Sequence, residues 1–294
     1  MRLHGCHTAL MTPFRSSRID ELSLIRLIRS QIAAGVQGLV PCGSTGEAAT
    51  LHFDERRRVI QLCVAGARGK AIVTAGIASN ATEKAIAEAR AAEALGVDAL
   101  LVLAPYYNKP TAEGLFLHFA AIARSVTTPI VIYNIPGRTA VNILPATLAR
   151  LAHRFRNIIG VKEAAGSLDQ VSEILSACPR RFSVLSGDDS LTVPMMSIGA
   201  SGVVSVISNL LPRETVRLCA DALRGDFAAA RRAHARLFPL IKALFAETNP
   251  IPVKAAAAAL GLCANELRLP LTPLSRKGRQ RLLAELKPWR GRRP

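Results

Sequence analysis

Ile158-Ile159-Gly160-Val161-Lys162-Glu163 is a short apolar run that ends in a cation, and Ala164-Ala165-Gly166 follows it. A run of this length, rich in β-branched residues and bounded by small ones, reads as a strand buried on both faces, the kind that builds parallel sheets. Seven more such runs recur along the chain, at 6–11, 38–41, 71–76, 99–104, 130–134, 182–186 and 202–206. Longer amphipathic stretches lie between them, at 20–34, 54–68, 81–95, 113–126, 145–153, 168–177 and 190–198. Helix-start chemistry marks several of these, as in Asn80-Ala81-Thr82-Glu83 and in Pro145. Strands alternating with helices predict a parallel sheet, and eight strands are the number that closes a barrel. Beyond about residue 210 the pattern becomes helix only, at 212–224, 226–247, 251–260 and 278–286. The expected architecture is α/β: a (β/α)8 TIM barrel forming the catalytic domain over 1–210, then a C-terminal helical extension with a basic tail over 211–294. An open doubly wound sheet would place a G-x-G-x-x-G after its first strand, and none is present. The chain has no repeat beyond the βα unit, no low-complexity segment and no linker before the tail.

Composition narrows the class. With 294 residues, 50% of them hydrophobic, and a mean hydropathy of +0.25, the chain buries a large core within the range of one α/β barrel. No apolar run approaches the length of a membrane span, and the N-terminus lacks the apolar stretch of a signal peptide. The six cysteines are scattered without a C-x-x-C pair, which argues against a zinc site or a disulfide framework. A cytoplasmic enzyme with free thiols is expected. Residues 276–294 supply +7 of the net charge of +17, with eight Lys/Arg against Glu285 alone. Such a stretch has the charge to meet nucleic acid or an anionic membrane. Yet aromatic content is only 4%, and no helix-turn-helix, RNP or zinc-finger pattern accompanies it. Thirty arginines against eight lysines point to a compositional habit. A solvated basic surface with a frayed end is expected, with neither nucleic acid nor membrane as partner.

In a closed α/β barrel the chemistry collects at the C-terminal ends of the strands. Of the eight lysines, only Lys162 ends such a strand. Desolvating its ammonium is costly, so its pKa should fall, and a neutral lysine attacks carbonyls to form a Schiff base. The plainer reading is a lysine that snorkels to solvent or pairs with Glu163. The second strand runs into Pro41-Cys42-Gly43-Ser44-Thr45-Gly46-Glu47. Its glycines allow close approach of a ligand, and the hydroxyls of Ser44 and Thr45 add donors to an anion pocket. G-K-[ST] is absent, so a carboxylate fits better than a phosphate, and an ordinary capped turn is the alternative. The only three tyrosines, Tyr106, Tyr107 and Tyr133, end the fourth and fifth strands, where phenols either relay protons or simply pack. Arg138 follows Pro136-Gly137 and would carry a guanidinium over the mouth to clamp a carboxylate. The acids of Ser186-Gly187-Asp188-Asp189 would orient the site or cap the next helix, with Asp189 read as the cap. Lys254, before an alanine run, reads as a helix or interface residue.

Taken with Thr12-Pro13 and Asn249-Pro250-Ile251-Pro252-Val253-Lys254, these ordered motifs resemble the class I pyruvate-dependent aldolase family, which includes dihydrodipicolinate synthase and N-acetylneuraminate lyase. The resemblance spans nearly the whole chain. It implies that Lys162 forms the Schiff base with pyruvate and that Tyr133 relays protons above it. Ser44 and Thr45 take the family's hydroxyl positions at the pyruvate carboxylate, and Gly187 and Val204 join the substrate-binding positions. Tyr107 reaches into the neighbouring subunit's site, in a homotetramer that is a dimer of dimers. Within the family, Tyr-Asn-x-Pro-x-Arg-Thr marks the branch whose arginine, here Arg138, holds the carboxylate of aspartate semialdehyde. The implied reaction condenses pyruvate with aspartate semialdehyde to 4-hydroxy-tetrahydrodipicolinate in lysine and diaminopimelate biosynthesis. No cofactor or metal is implied, because the protonated imine is itself the electron sink. The alternatives are a related aldolase, lyase or keto-acid dehydratase with another second substrate, or a barrel that has lost catalysis and binds through its basic face. Ser44 departs from the family's usual threonine and lacks the methyl that restricts χ1. The family's lysine-effector site would fall near Ala49, Phe53, Arg56, Asn80, Lys84 and Tyr106. Sensitive members carry histidines at the positions of Phe53 and Arg56 and a glutamate at that of Lys84, so weak or absent lysine inhibition is expected.

Overall fold

Eight parallel strands close on themselves in the computed structural model, which describes residues 1–291. They are β1 (Gly5–Ala9), β2 (Gly38–Val40), β3 (Ile72–Ile77), β4 (Ala99–Leu103), β5 (Ile130–Asn134), β6 (Ile158–Glu163), β7 (Ser183–Ser186) and β8 (Gly202–Ser205). Each pairs with the next, and β1 pairs with both β2 and β8, so the sheet has no edge to protect. Every expected strand is present to within two residues. Where β8 meets β1 the backbones approach closely: a Cβ at Gly202 would lie 2.1 Å from the Gly5 carbonyl oxygen, so only glycine fits there.

Seven helices follow the first seven strands: α1 (Glu21–Ala33), α2 (Phe53–Ala67), α3 (Thr82–Glu93), α4 (Ala112–Ser125), α5 (Pro145–Arg154), α6 (Leu168–Ala177) and α7 (Thr192–Ser197). Side-chain oxygens of Asp20, Thr111 and Ser167 accept from orphan N–H groups at the starts of α1, α4 and α6. α3 starts where its motif suggested but has no side-chain cap. The Asn80 amide donates instead to the Tyr106 carbonyl at 3.3 Å, tying the β3 and β4 loops together. α8 (Pro212–Leu223) packs on β1 and β8, completing the ring. The chain continues into α9 (Phe227–Leu244), α10 (Ile251–Ala259) and α11 (Arg276–Leu286), with α10 against the turn Ile207–Asn209 that ends β8.

Besides short 3-10 turns, a hairpin and a turn of helix were not expected. The hairpin pairs Phe14–Arg15 with Arg18–Ile19, turned through Ser16 and Ser17 at positive φ. Its Ser16 and Ser17 N–H groups donate to the Glu266 carboxylate. The turn of helix is Pro136–Thr139, which carries Arg138. Of the basic stretch, residues through Leu286 are helical, with Leu282 and Leu286 buried, and Arg236 lies over the buried Trp289 ring. Arg292 and Arg293 lie outside the described residues. All six cysteines are free thiols. Among the described residues no helix is long and apolar enough to cross a membrane, and no three His, Cys, Asp or Glu side chains are grouped to hold a metal ion.

Candidate active site

Adjacent residues on a strand face opposite ways, and paired residues on neighbouring parallel strands face the same way. Tyr133 on β5 pairs with Lys162 on β6, so the two side chains share a face. Both are buried, and Lys162 Nζ stands 4.0 Å from the centroid of the Tyr133 ring. Glu163 is one residue further along and points the other way. Its carboxylate accepts from the Asn134 amide at 3.0 and 3.1 Å, from Ala165 N–H at 2.7 Å and from the Gln170 amide at 3.2 Å. The plainer reading of Lys162 as a partner of Glu163 therefore fails on strand alternation. Burial pushes the Glu163 carboxyl up from its ordinary value, against the lowering pull of these donors.

Space around Lys162 comes from Gly187, just past β7. A Cβ there would sit 2.6 Å from the Ala164 Cβ and 3.3 Å from Lys162 Cε, so any side chain would crowd the lysine stem. Val204 is buried on β8, opposite His7. The two acids beyond Gly187 divide their duties differently from expectation. Asp188 caps the following turn through Ser190 N–H at 2.9 Å. Asp189 is buried and accepts from Val206 and Ile207 N–H at 2.9 and 3.0 Å, which ties β7 to the end of β8. Asp189 is the first residue of the 3-10 turn Asp189–Leu191, and its N-cap is Asp188.

The loop after β2 forms two 3-10 turns, Ser44–Gly46 and Ala48–Thr50, well before α2 begins. Its left-handed positions are Cys42 (φ 57°) and Glu47 (φ 53°), strained backbone for residues with side chains. Cys42 is buried, and burial pushes its thiol up to about 12. Ser44 is half-buried and Thr45 fully so, and the Thr12 hydroxyl donates to the Gly46 carbonyl at 2.8 Å.

What stiffens this loop comes from the far end of the chain. Lys254 is entirely buried on α10, and its ammonium donates to Glu47 Oε1 at 2.5 Å and to the Glu266 carbonyl at 2.7 Å, over the Phe14 ring. Burial lowers the Lys254 pKa, while Glu47 pulls it back up. Five residues earlier, Asn249 donates through Nδ2 to Thr45 Oγ1 at 2.9 Å, and its carbonyl accepts from Arg138 Nη2 at 2.9 Å. Arg138 itself is exposed. Neither Asn249 nor Glu47 carried a role in the sequence reading. The usable signal was a polar residue and a lysine bracketing the apolar run Pro250-Ile251-Pro252-Val253. Tyr107 is 87% exposed at φ 76°, and Tyr106 lies beside it, partly exposed. Within one chain the structure thus brings Lys162, Tyr133 and Gly187 together, and joins Thr45, next to Ser44, and Arg138 through Asn249. Tyr107 is exposed beyond β4.

A buried amine against a phenol is equipped for imine chemistry on a carbonyl, and the same barrel carries a hydroxyl-bearing turn joined through Asn249 to a guanidinium. Residues 2–288 match the dihydrodipicolinate synthetase family. The chain is 50% identical over 285 residues to 4-hydroxy-tetrahydrodipicolinate synthase of Pelobacter propionicus, covering 97% of this chain and 98% of that protein. It is 51% identical over 282 residues to the synthase of Nitratidesulfovibrio vulgaris, covering 96% and 97%. Among solved structures, dihydrodipicolinate synthase from Aquifex aeolicus matches with a TM-score of 0.96 at 46% identity, covering 98% of each chain. The chain belongs to the dihydrodipicolinate synthetase family.

Proposed function

We propose, with that membership as the premise, that this protein condenses pyruvate with aspartate semialdehyde to 4-hydroxy-tetrahydrodipicolinate, as a class I pyruvate-dependent lyase of lysine and diaminopimelate biosynthesis. The observation that carries the reading is the buried Lys162 amine 4.0 Å from the Tyr133 ring, with Gly187 leaving room beside it. The Lys162 amine attacks the ketone carbon of pyruvate, whose carboxylate meets Ser44 and Thr45. Tyr133, in relay with Ser44 and Tyr107, delivers a proton to the carbinolamine oxygen, water leaves and the imine forms. Loss of a methyl proton gives an enamine, and its carbon bonds to the aldehyde carbon while the aldehyde oxygen takes up a proton. Arg138 holds the carboxylate of the second substrate, and Val204 lines the mouth. The substrate's own amine then attacks the imine carbon, closes the ring and returns Lys162 as a free amine.

The working form is a cytoplasmic homotetramer, a dimer of dimers in which Tyr107 enters the neighbouring site. Support comes from the backbone of Tyr107: a non-glycine residue held at φ 76° with its ring in solvent is disfavoured twice over, and burial in a second subunit offsets both.

Borohydride added with pyruvate tests the mechanism. One peptide, the one bearing Lys162, should gain a pyruvate-derived mass, and activity should be lost. A label on Lys254 instead, or none at all, would overturn it.

A further inference from the structure

Asn249 touches both substrate-binding arms at once. Its side chain is buried and donates through Nδ2 to Thr45 Oγ1 at 2.9 Å, and its main-chain carbonyl accepts from Arg138 Nη2 at 2.9 Å. Oδ1, the other end of the amide, is buried with no partner. An amide nitrogen has only protons to offer, whereas a hydroxyl has one proton and two lone pairs. The bond therefore makes the Thr45 oxygen an acceptor on that side and leaves its proton for something else. A carboxylate takes donors only. The reverse amide orientation would bury an NH2 group without an acceptor in place of one under-satisfied oxygen, and unpaired donors are the rarer defect. The amide is also held at both ends of its segment. The Arg138 bond fixes the main chain at Asn249, and the Lys254–Glu47 ion pair anchors α10 to the same loop that carries Thr45.

We propose that Asn249 is a positioning residue: it commits the Thr45 hydroxyl to donate to the carboxylate of the first substrate, while its carbonyl steadies the guanidinium that meets the second. This rests on the reading of the site as a pyruvate imine-former, which the wild-type trapping experiment tests separately.

The experiment uses pyruvate alone with borohydride, so that only the first half-reaction is read. Half-saturating pyruvate and the maximal trapping rate are measured for the wild type, Asn249→Asp, Asn249→Ala, Thr45→Val and the double variant Asn249→Ala/Thr45→Val. In the isosteric Asn249→Asp, a carboxylate takes the Thr45 proton and faces the substrate's own carboxylate. Half-saturating pyruvate should rise by roughly tenfold or more, with the maximal rate changed by less than about threefold. A merely structural role would not separate these two quantities. Asn249→Ala should weaken pyruvate less than Asn249→Asp, and it should add less than about twofold once Thr45 is already valine, because it then has no hydroxyl to act through. Wild-type-like pyruvate dependence in Asn249→Asp would show the amide presenting oxygen to Thr45 and overturn the proposal. Independent, multiplying effects of Asn249→Ala and Thr45→Val would overturn it equally. A wild type that traps no pyruvate at Lys162 would remove the reading of the site and this inference with it.

Discussion

Arg138 uses one Nη2 donor on the Asn249 carbonyl, and a guanidinium carries five donors in a fixed fork. It is thus steadied on one side and exposed at the barrel mouth. Replacing it should spare the chemistry that does not involve the second substrate. In Arg138→Ala we expect pyruvate trapping at Lys162 to persist, while kcat/KM for aspartate semialdehyde falls by about 1.5–3 kcal/mol, the scale of hydrogen bonds to a charged group. Steady-state rates against semialdehyde concentration check this, and near-normal values would make Arg138 structural and favour a lyase with another second substrate. At this scale the sequence was most legible where polar residues end apolar runs, as with Lys162, Tyr133 and Arg138. It was least legible for partners far apart in the chain. The Asn249–Thr45 and Lys254–Glu47 pairs are 204 and 207 residues apart, and nothing local in either member announces the other. Asp188 and Asp189 show a third limit: adjacent carboxylates offer the same cap, and which of them caps depends on where the turn after the strand begins.

The loop after β2 carries Ser44 and Thr45 between two strained positions, Cys42 and Glu47, and so needs outside support. α10 supplies it. Removing the Lys254 ammonium would leave the Glu47 carboxylate buried, with the Arg268 main-chain N–H at 3.1 Å as its remaining hydrogen-bond donor among the described residues. Breaking a buried pair in this way costs roughly 3–5 kcal/mol. Lys254→Met should therefore lower the melting temperature clearly, and pairing it with Glu47→Gln should recover part of the loss because the uncompensated charge is gone. Calorimetry of the two single variants and the double would show this. A Lys254→Met protein that melts like the wild type would mean that the pair is not holding the loop. The larger elements were readable because strand and helix periods repeat over many residues. The hairpin at Phe14–Arg15 and the helical turn Pro136–Thr139 were not, since two to four residues are too few for a period to show. The hairpin's second tie, Arg268 donating to the Ser17 carbonyl at 2.7 Å, again comes from the far end of the chain.

Assembly and regulation belong to the whole molecule. If Tyr107 is buried between subunits, sedimentation should find a tetramer, and the lysine-effector region of the family would then lie at an interface between copies. The apolar Phe53 and the cations Arg56 and Lys84 occupy that region. Phe53 is exposed at the start of α2. Arg56 is committed to Glu88 at 2.9 Å and to the Gly76 carbonyl at 3.0 Å, so its guanidinium serves the fold. Lys84 is exposed on α3, and the family resemblance implies a glutamate at this position in lysine-sensitive members. An ammonium there repels a cationic effector, and the carboxylate that would have bonded to it is missing. Two unit charges about 4 Å apart interact by about 1 kcal/mol in water, and a charge-assisted hydrogen bond contributes roughly 1.5–3 kcal/mol. Losing the bond and gaining the repulsion should weaken lysine binding by roughly a hundredfold or more. Asn80 still bridges to the Tyr106 carbonyl, so the frame of that region stands even though its charge is inverted. Initial rates at saturating pyruvate, taken across a lysine titration on the sedimented tetramer, should stay flat through the submillimolar range. Half-inhibition within that range would show that Lys84 does not face the effector.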